Sequence, residues 1–433
     1  MSHSSEPTDE GPVIASGVIT APSSKQIDEI TSTQETKCCV VGGGPAGVML
    51  SYLLARQGVT VILLEAHKDF DRKFRGDTIH PSILEVMAEL GLAERLHQLR
   101  HTKSYGPTIQ TAKGPVRPID FRRLKTEFPY IMLVPQVDFL NFMVEEAKQY
   151  PHFQVRMGAL VHDLIEVDGV VKGVRYRDEN GVHEVRAAVT IGTDGRHSRI
   201  RHLSGFEPIK TSPPMDVLWF NLPLLPEGPP VQGLFARFGV GRTLILFERV
   251  DHLQAGYIFT KGHYQELKAA GLDSLKRSIV EIEPRLENHL NSLKSWRDVT
   301  LLSVESSRCP RWYKDGLLLI GDAAHVMSPV GGVGINYAIH DAIEAANVLT
   351  EPLKLERLET RHLRQVQRRR QWPTQFIQGV QAFAQKQLAA RVLNSSGPPK
   401  LPLLVRWLLK VPLVRDIPAR LIAFGIGRSH IKL

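Results

Sequence analysis

Cysteine is scarce in this chain of 433 residues: there are three, and Cys38 and Cys39 are neighbours inside an apolar run. Neither a disulfide framework nor a Cys-x-x-Cys metal cluster can be built from them, and a reducing compartment is expected. Long apolar runs are missing too. The uncharged stretch from Cys38 to Ala55 contains four glycines and Pro45 between two short apolar halves, which reads as strand, loop and helix, not a membrane span. The first 36 residues are rich in Ser, Thr, Pro and acid, with no apolar signal-peptide core. They are expected to form a disordered tail. Acid is scarce at the other end. Residues 351–433 hold 16 Lys/Arg against 4 Asp/Glu, a local charge of +12 in a chain of net charge +9, which leaves −3 elsewhere.

What is present is ordinary for a folded protein: 42% hydrophobic, 23% charged and 7% aromatic residues. The length exceeds one usual core, so two or three lobes are expected, interleaved along the chain. No internal repeat is visible. Ordered structure should begin near Lys37. Cys38 to Val41 has strand character, Val48 to Arg56 carries apolar residues at helical spacing with Gly58 at the C-terminal cap, and Val59 to Leu64 reads as a buried strand closed by Glu65. That is a βαβ unit. Beyond it, Val161 to Val189 reads as a meander turned at Asp168-Gly169 and Asn180-Gly181. Leu317 to Ile320 is a further apolar strand, Ile335 to Leu349 and Arg361 to Arg391 read as helices, and Ser395 to Pro399 reads as a linker.

The loop of the βαβ unit is Gly42-x-Gly44-x-x-Gly47, and Glu65 follows 21 positions after Gly44. Glycines at this spacing let the chain turn sharply, approach a pyrophosphate without side chains in the way, and pack the helix tightly on the sheet. The helix N-terminus then offers N–H groups and partial positive charge to the phosphates. Glu65 is placed to accept hydrogen bonds from ribose hydroxyls, and its charge argues against a 2′-phosphate. FAD or NAD suits the loop better than NADP.

Two further stretches separate those cofactors. Thr193-Asp194-Gly195-Arg196-His197-Ser198-Arg199-Ile200-Arg201 resembles the Asp-Gly motif of the flavoprotein aromatic hydroxylases related to para-hydroxybenzoate hydroxylase. Gly321-Asp322-Ala323-Ala324-His325, continued by Pro329, Gly331, Gly332, Gly334 and Asn336, resembles that family's second FAD signature. All three motifs occur in family order, so the resemblance spans roughly residues 37–350. It implies an α/β fold with a Rossmann-like FAD-binding domain (37–205 and 301–350), an interleaved β-sheet substrate domain (206–300) and a C-terminal basic helical segment (351–433). It also implies a cofactor set of Gly42, Gly44, Pro45, Ala46, Gly47, Glu65, Ala66, Arg75, Gln136, Asp194, Asp322, Pro329, Gly332, Val333, Gly334 and Ile335. Asp322 would accept from ribityl hydroxyls, with helix capping as the alternative. Amides of the Pro329–Gly334 loop and the positive end of the following helix would face the flavin pyrimidine edge. Asp194 and Arg201 are expected to pair.

By the same resemblance, NADH or NADPH visits to reduce FAD, dioxygen adds at flavin C4a, and the hydroperoxide hydroxylates an aromatic or other electron-rich molecule. No catalytic side chain is assigned; His325 and His340 stay without a role. Two alternatives stay open: an FAD-dependent reductase of an isoprenoid-like substrate, and a non-catalytic flavin-binding protein. There is one dinucleotide signature, which disfavours two-nucleotide oxidoreductases. Leu218-Trp219-Phe220-Asn221-Leu222-Pro223 departs from the halogenase Trp-x-Trp-x-Ile-Pro at both tryptophans. His97 and His101 stand four apart without the metalloprotease glutamate, so surface histidines are expected and no metal. The Arg368-Arg369-Arg370 run lacks any nucleic-acid motif. The basic apolar stretch 401–424 allows a peripheral membrane contact, with packing on the lobes or in a homodimer as the competing reading. The expected location is cytoplasmic.

Overall fold

The computed structural model describes residues 29–71, 77–111, 114–226, 228–229, 231, 233–392 and 415–432. Strand β1 (Ile30–Val41) leads through the glycine loop into helix α1 (Pro45–Arg56), and the chain returns as β2 (Val61–Glu65). The residues from Cys38 to Val41 are buried throughout, as a strand covered on both faces requires. Gly58 turns the chain after α1 at φ +81°, the left-handed conformation its spacing predicts. β1 runs parallel to β2 on one side and to β3 (Gly181–Gly192) on the other; Phe153–Met157 extends the sheet beyond β2, and β4 (Leu317–Leu319) extends it beyond β3. Helix α2 (Gly334–Lys354) packs beside α1. The meander is present, with Leu160–Val167, Val170–Asp178 and β3 paired antiparallel. Asp168 and Gly169 both take positive φ at its first turn.

Order starts earlier than Lys37. Ile30 to Thr36 already pair with Val182 to Ala187. The exposed half of the strand carries polar residues and is held by its backbone ladder, so no apolar pattern announces it.

The second lobe is an antiparallel sheet built on Met215–Pro223, Leu234–Gly239, Arg242–Glu248 and His252–Thr260. Two further pieces join it: Thr300–Ser303 on one edge, and Pro107–Thr111 with Gly114–Val116 on the other. The interval 37–205 thus contributes strands to this sheet as well. Leu275, Ile279 and Ile282 of the helix Leu272–Ile282 cover one face of this sheet, leaving Met215, Val217 and Trp219 for the opposite face.

After α2 the chain forms helix α3 (Thr360–Val392) and, following the undescribed residues 393–414, helix α4 (Ile417–Phe424). Part of the 401–424 stretch thus lies outside the described residues, and the rest packs inward. Ala419 and Ala423 are buried against Phe121 and Leu124. Ile422 O bonds the His80 ring at 2.7 Å, Ser429 N donates to His340 Nδ1 (3.2 Å), and Lys432 N donates to Asn347 Oδ1 (3.0 Å). Among the described residues no helix is long and apolar enough to cross a membrane. His97 is not a plain surface residue: it stacks on Phe128 and hydrogen-bonds Tyr130 Oη at 2.6 Å. No metal-binding group of side chains occurs among the described residues.

The strap formed by 415–432 is thus tied down through two buried histidines. Burial lowers His80 from 6.5 to about 4 and His340 to about 3. The unfolded chain takes up these protons first, so stability should be complete above pH 6.5 and fall as pH drops toward 4 and then 3. The slope is up to about 1.4 kcal/mol per pH unit for each histidine. Protonated Nδ1 of His340 can no longer accept from Ser429, so hydrogen exchange should show 425–432 opening first in acid. Denaturant melts of His340→Gln should show a shallower pH dependence; an unchanged slope would exclude His340 as the source.

Candidate functional site

The glycines of the first loop divide the work. A Cβ on Gly47 would lie 2.0 Å from Gly42 O, and one on Gly42 would meet the Thr193 and Asp194 backbone at 2.7 Å, with φ at +108°. Both positions are close-packed against the chain itself. Gly44 is different: φ is −75° and the nearest atom to a Cβ is Thr193 O at 3.9 Å. Its open side faces a cavity, and so does the N-terminus of α1, whose first turn carries no acid. Glu65, at the end of β2, is buried and accepts from Gly43 N (2.8 Å) and His67 N (2.9 Å).

The Asp194 loop sits directly against this turn. Thr193 Oγ1 donates to Val41 O (2.9 Å) or to Gly42 O (2.7 Å). Asp194 does not pair with Arg201. It accepts instead from Ser198 Oγ and from Ile200 N (3.0 Å), local donors that close its own turn. Burial pushes its carboxyl up, and those bonds offset part of the effect. Arg201 instead donates to Arg196 O of that loop (2.7 Å) and to Ala323 O (3.0 Å). Its guanidinium joins the second motif to the third.

In the third motif, β4 ends in a single helical turn, Gly321–Ala323. Asp322 caps no helix, and its carboxylate has no protein hydrogen bond among the described residues; it lies on the cavity wall. The turn is held from behind by Asp341, which accepts from Gly321 N (3.1 Å), His325 Nε2 (2.6 Å) and Arg370 Nε (2.7 Å). Burial pushes the Asp341 carboxyl up, but His325 and Arg370 outweigh it and hold the group at about 2. The loop after His325 is pinned through Thr78, which the motif does not contain. Thr78 Oγ1 donates to Gly332 O (2.8 Å), and Asn336 Nδ2 donates to Thr78 O (3.2 Å). Pro329, Gly332, Gly334 and Ile335 line the cavity, whereas Val333 points away into a cluster with Met327, Tyr337 and Ile377.

One cavity of about 1320 Å³ therefore gathers Gly42, Gly44, Pro45, Ala46, Glu65, Ala66, Gln136, Asp194 and Asp322. Gly47 and Val333 support its walls from behind, and Arg75 lies outside the described residues. The volume exceeds the roughly 300–1,000 Å³ of an ordinary ligand pocket, which leaves room for a dinucleotide and a second molecule. The far end reaches the second lobe, where Met215, Trp219, Ile245 and Phe247 make an apolar wall and Ile422 of the strap approaches from the side. Arg249 interrupts that wall. It is 9% exposed, donates to Asp77 Oδ2 (2.9 Å) and Gln254 Oε1 (3.1 Å), and keeps Nη1 buried without a partner among the described residues. Burial pushes Arg249 down and Asp77 up, each only partly opposed by the other's charge. Asp77 also accepts from Gln136 N (3.2 Å). No spacing in the sequence connects Arg249 with Asp77, which lie in different lobes.

Comparison with known proteins agrees with this geometry. The profile of the FAD binding domain family matches residues 35–380. The 6-methylpretetramide 4-monooxygenase of Streptomyces rimosus is 33% identical over 394 residues, 90% of this chain and 92% of that one. Among solved structures, pqsL, a probable FAD-dependent monooxygenase from Pseudomonas aeruginosa, superposes with a TM-score of 0.70 at 20% identity, covering 83% of this chain and 97% of that one. OxyS anhydrotetracycline hydroxylase from Streptomyces rimosus gives 0.71 at 22% identity, with 90% and 76% covered. A glycine turn, a buried acid and an uncapped aspartate around one large cavity, on a chain so matched, place this protein in the flavoprotein aromatic hydroxylase family of FAD-dependent monooxygenases.

Proposed function

We propose that this FAD-dependent monooxygenase hydroxylates a polycyclic phenol or enol held between the apolar wall of the second lobe and Arg249. The Nη1 of Arg249, buried on that wall and without a partner among the described residues, carries the reading. A guanidinium in an apolar chamber is costly unless something occupies its free donor, and an acidic ring oxygen has the right charge and reach. The 33% identity to an enzyme named for 6-methylpretetramide supports a substrate of similar size.

The residues present suit FAD. Gly44 leaves space where a Cβ would stand, the first turn of α1 is free of acid, and the Asp322 carboxylate has no protein hydrogen bond among the described residues. Gly44, Pro45 and Ala46 would hold the pyrophosphate, Glu65 the adenosine ribose and Asp322 the ribityl chain. Gln136 would meet the flavin side. Amides between Pro329 and Ile335, at the positive end of α2, would face the pyrimidine edge and favour negative charge there. Bound FAD supplies the redox chemistry, accepting a hydride from NADH or NADPH and activating dioxygen. Arg249 would orient the substrate and favour its ionised, electron-rich form. Ile422 and the apolar wall would keep water from the reacting centre.

A panel of polycyclic and simple phenols should stimulate NAD(P)H oxidation selectively, with label from isotopic dioxygen appearing in the product. Label recovered only in water or peroxide would overturn the hydroxylation of that class. Arg249→Met should raise KM for the acidic substrate by roughly tenfold or more, the worth of a charge-assisted hydrogen bond, with FAD content unchanged. Asp322→Ala should weaken FAD retention by about 10–100-fold while the apoprotein melts as before; matched losses would make Asp322 a structural residue. Gly44→Ala should likewise cost FAD affinity alone. Gly47→Ala should instead destabilise the apoprotein, by about 1–3 kcal/mol in a denaturant titration, because its Cβ collides with Gly42 O.

A further inference from the structure

Helix α3 buries a polar row beside its apolar contacts. Next to the buried Leu363, Val366 and Ile377, the residues Gln367, Arg370, Thr374, Gln378, Gln381 and Gln385 recur at helical spacing and are all nearly inaccessible. Two of them serve backbone carbonyls beneath the helix. Gln378 Nε2 donates to Ser307 O (2.9 Å) or Val326 O (3.1 Å), and Gln381 Nε2 to Ser328 O (3.0 Å) or Val330 O (2.7 Å). The opposite face carries the aromatics. Trp372 is 59% exposed, Phe376 39% and Phe383 66%. Spacings of four and seven put all three on one stripe. Arg368 and Lys386 continue the same stripe at its two ends, both exposed and without an ion pair among the described residues. Across the 33 residues of α3 there is no Asp or Glu.

We infer that this stripe docks α3 in the plane of an anionic lipid surface. Exposed aromatics flanked by unpaired cations on one helix face suit the headgroup boundary, where rings enter the acyl edge and cations meet lipid phosphates. The geometry disfavours a second copy seated stripe on stripe. In a parallel arrangement Arg368 faces Arg368, in an antiparallel one it faces Lys386, and each repels. The stripe belongs to a different stretch of the chain from 401–424 and lies on the outer side of the helix whose inner glutamines hold the Ser328–Val330 backbone of the cavity.

Co-sedimentation of the FAD-loaded full chain tests it, using vesicles of phosphatidylcholine alone and of phosphatidylcholine with phosphatidylglycerol. Binding is expected to the anionic vesicles only and should weaken with salt. The Trp372→Ser/Phe383→Ser variant should lose roughly tenfold or more of that partitioning, and Arg368→Glu/Lys386→Glu should do the same, with flavin content and melting unchanged. Absence of binding by the unaltered chain at low salt would overturn the inference. So would undiminished binding by both variants, which would assign the contact to another part of the chain. A change in oligomeric state in place of vesicle binding would assign the stripe to a second copy and overturn it equally.

Discussion

A single buried carboxylate organises the floor of the site. Asp341 is inaccessible to solvent, and a carboxylate so placed is tolerated only when charge and hydrogen bonds surround it. Its donors come from three segments: the turn at Gly321, the strand residue His325, and Arg370 on α3. Because none of them can withdraw without leaving a bare charge, the turn cannot rotate, and the next residue, Asp322, is left facing the cavity. Arg370 extends the same constraint to the C-terminal strap by donating to Gly427 O (2.8 Å). The placement of one cofactor-facing aspartate is thus decided by groups that never reach the cavity.

The same logic links the other loops. Motifs far apart in sequence touch through one hydroxyl and one guanidinium, Thr193 against the Gly42 turn and Arg201 on Ala323 O. An Asp194–Arg201 pair would have been the obvious electrostatic choice within the second motif. The chain uses the cheaper local donors Ser198 and Ile200 for the acid, which needs only to close its own turn, and frees the long arginine to span the gap to the third motif. Arginine suits that task because its planar fork can serve two carbonyls at once.

Much of the nucleotide lobe was legible in the sequence because its signals are local. A strand, a glycine turn, a helix and an acid lie within some thirty residues, and the Gly321-Asp322 motif again sits between strand and helix. Each depends on backbone constraints that glycine and aspartate express directly. The misses are non-local. Ile30 to Thr36 and Pro107 to Thr111 join sheets as partly exposed segments, where ladder pairing with a remote strand does the holding and no alternation is required. Arg249 and Asp77 meet only after two lobes close on each other, and Thr78 reaches Gly332 across 254 positions. Val333 adds a distinction: its side chain packs away from the cavity, because membership of a motif does not fix which way a side chain points.

Helix α3 shows how far the site extends beyond its recognisable motifs. The family match ends at residue 380, one position before Gln381, whose amide holds the carbonyls of Ser328 and Val330. Those residues flank the loop that would face the flavin. A loop presenting its N–H groups to a cofactor must leave carbonyls pointing elsewhere, and buried carbonyls need donors. Gln378 and Gln381 meet that need, which is why a polar row interrupts the apolar inner face formed by Leu363, Val366 and Ile377. Apolar side chains at those two positions would leave the carbonyls unsatisfied, so the chemistry of the flavin edge dictates part of the composition of a helix that never touches it.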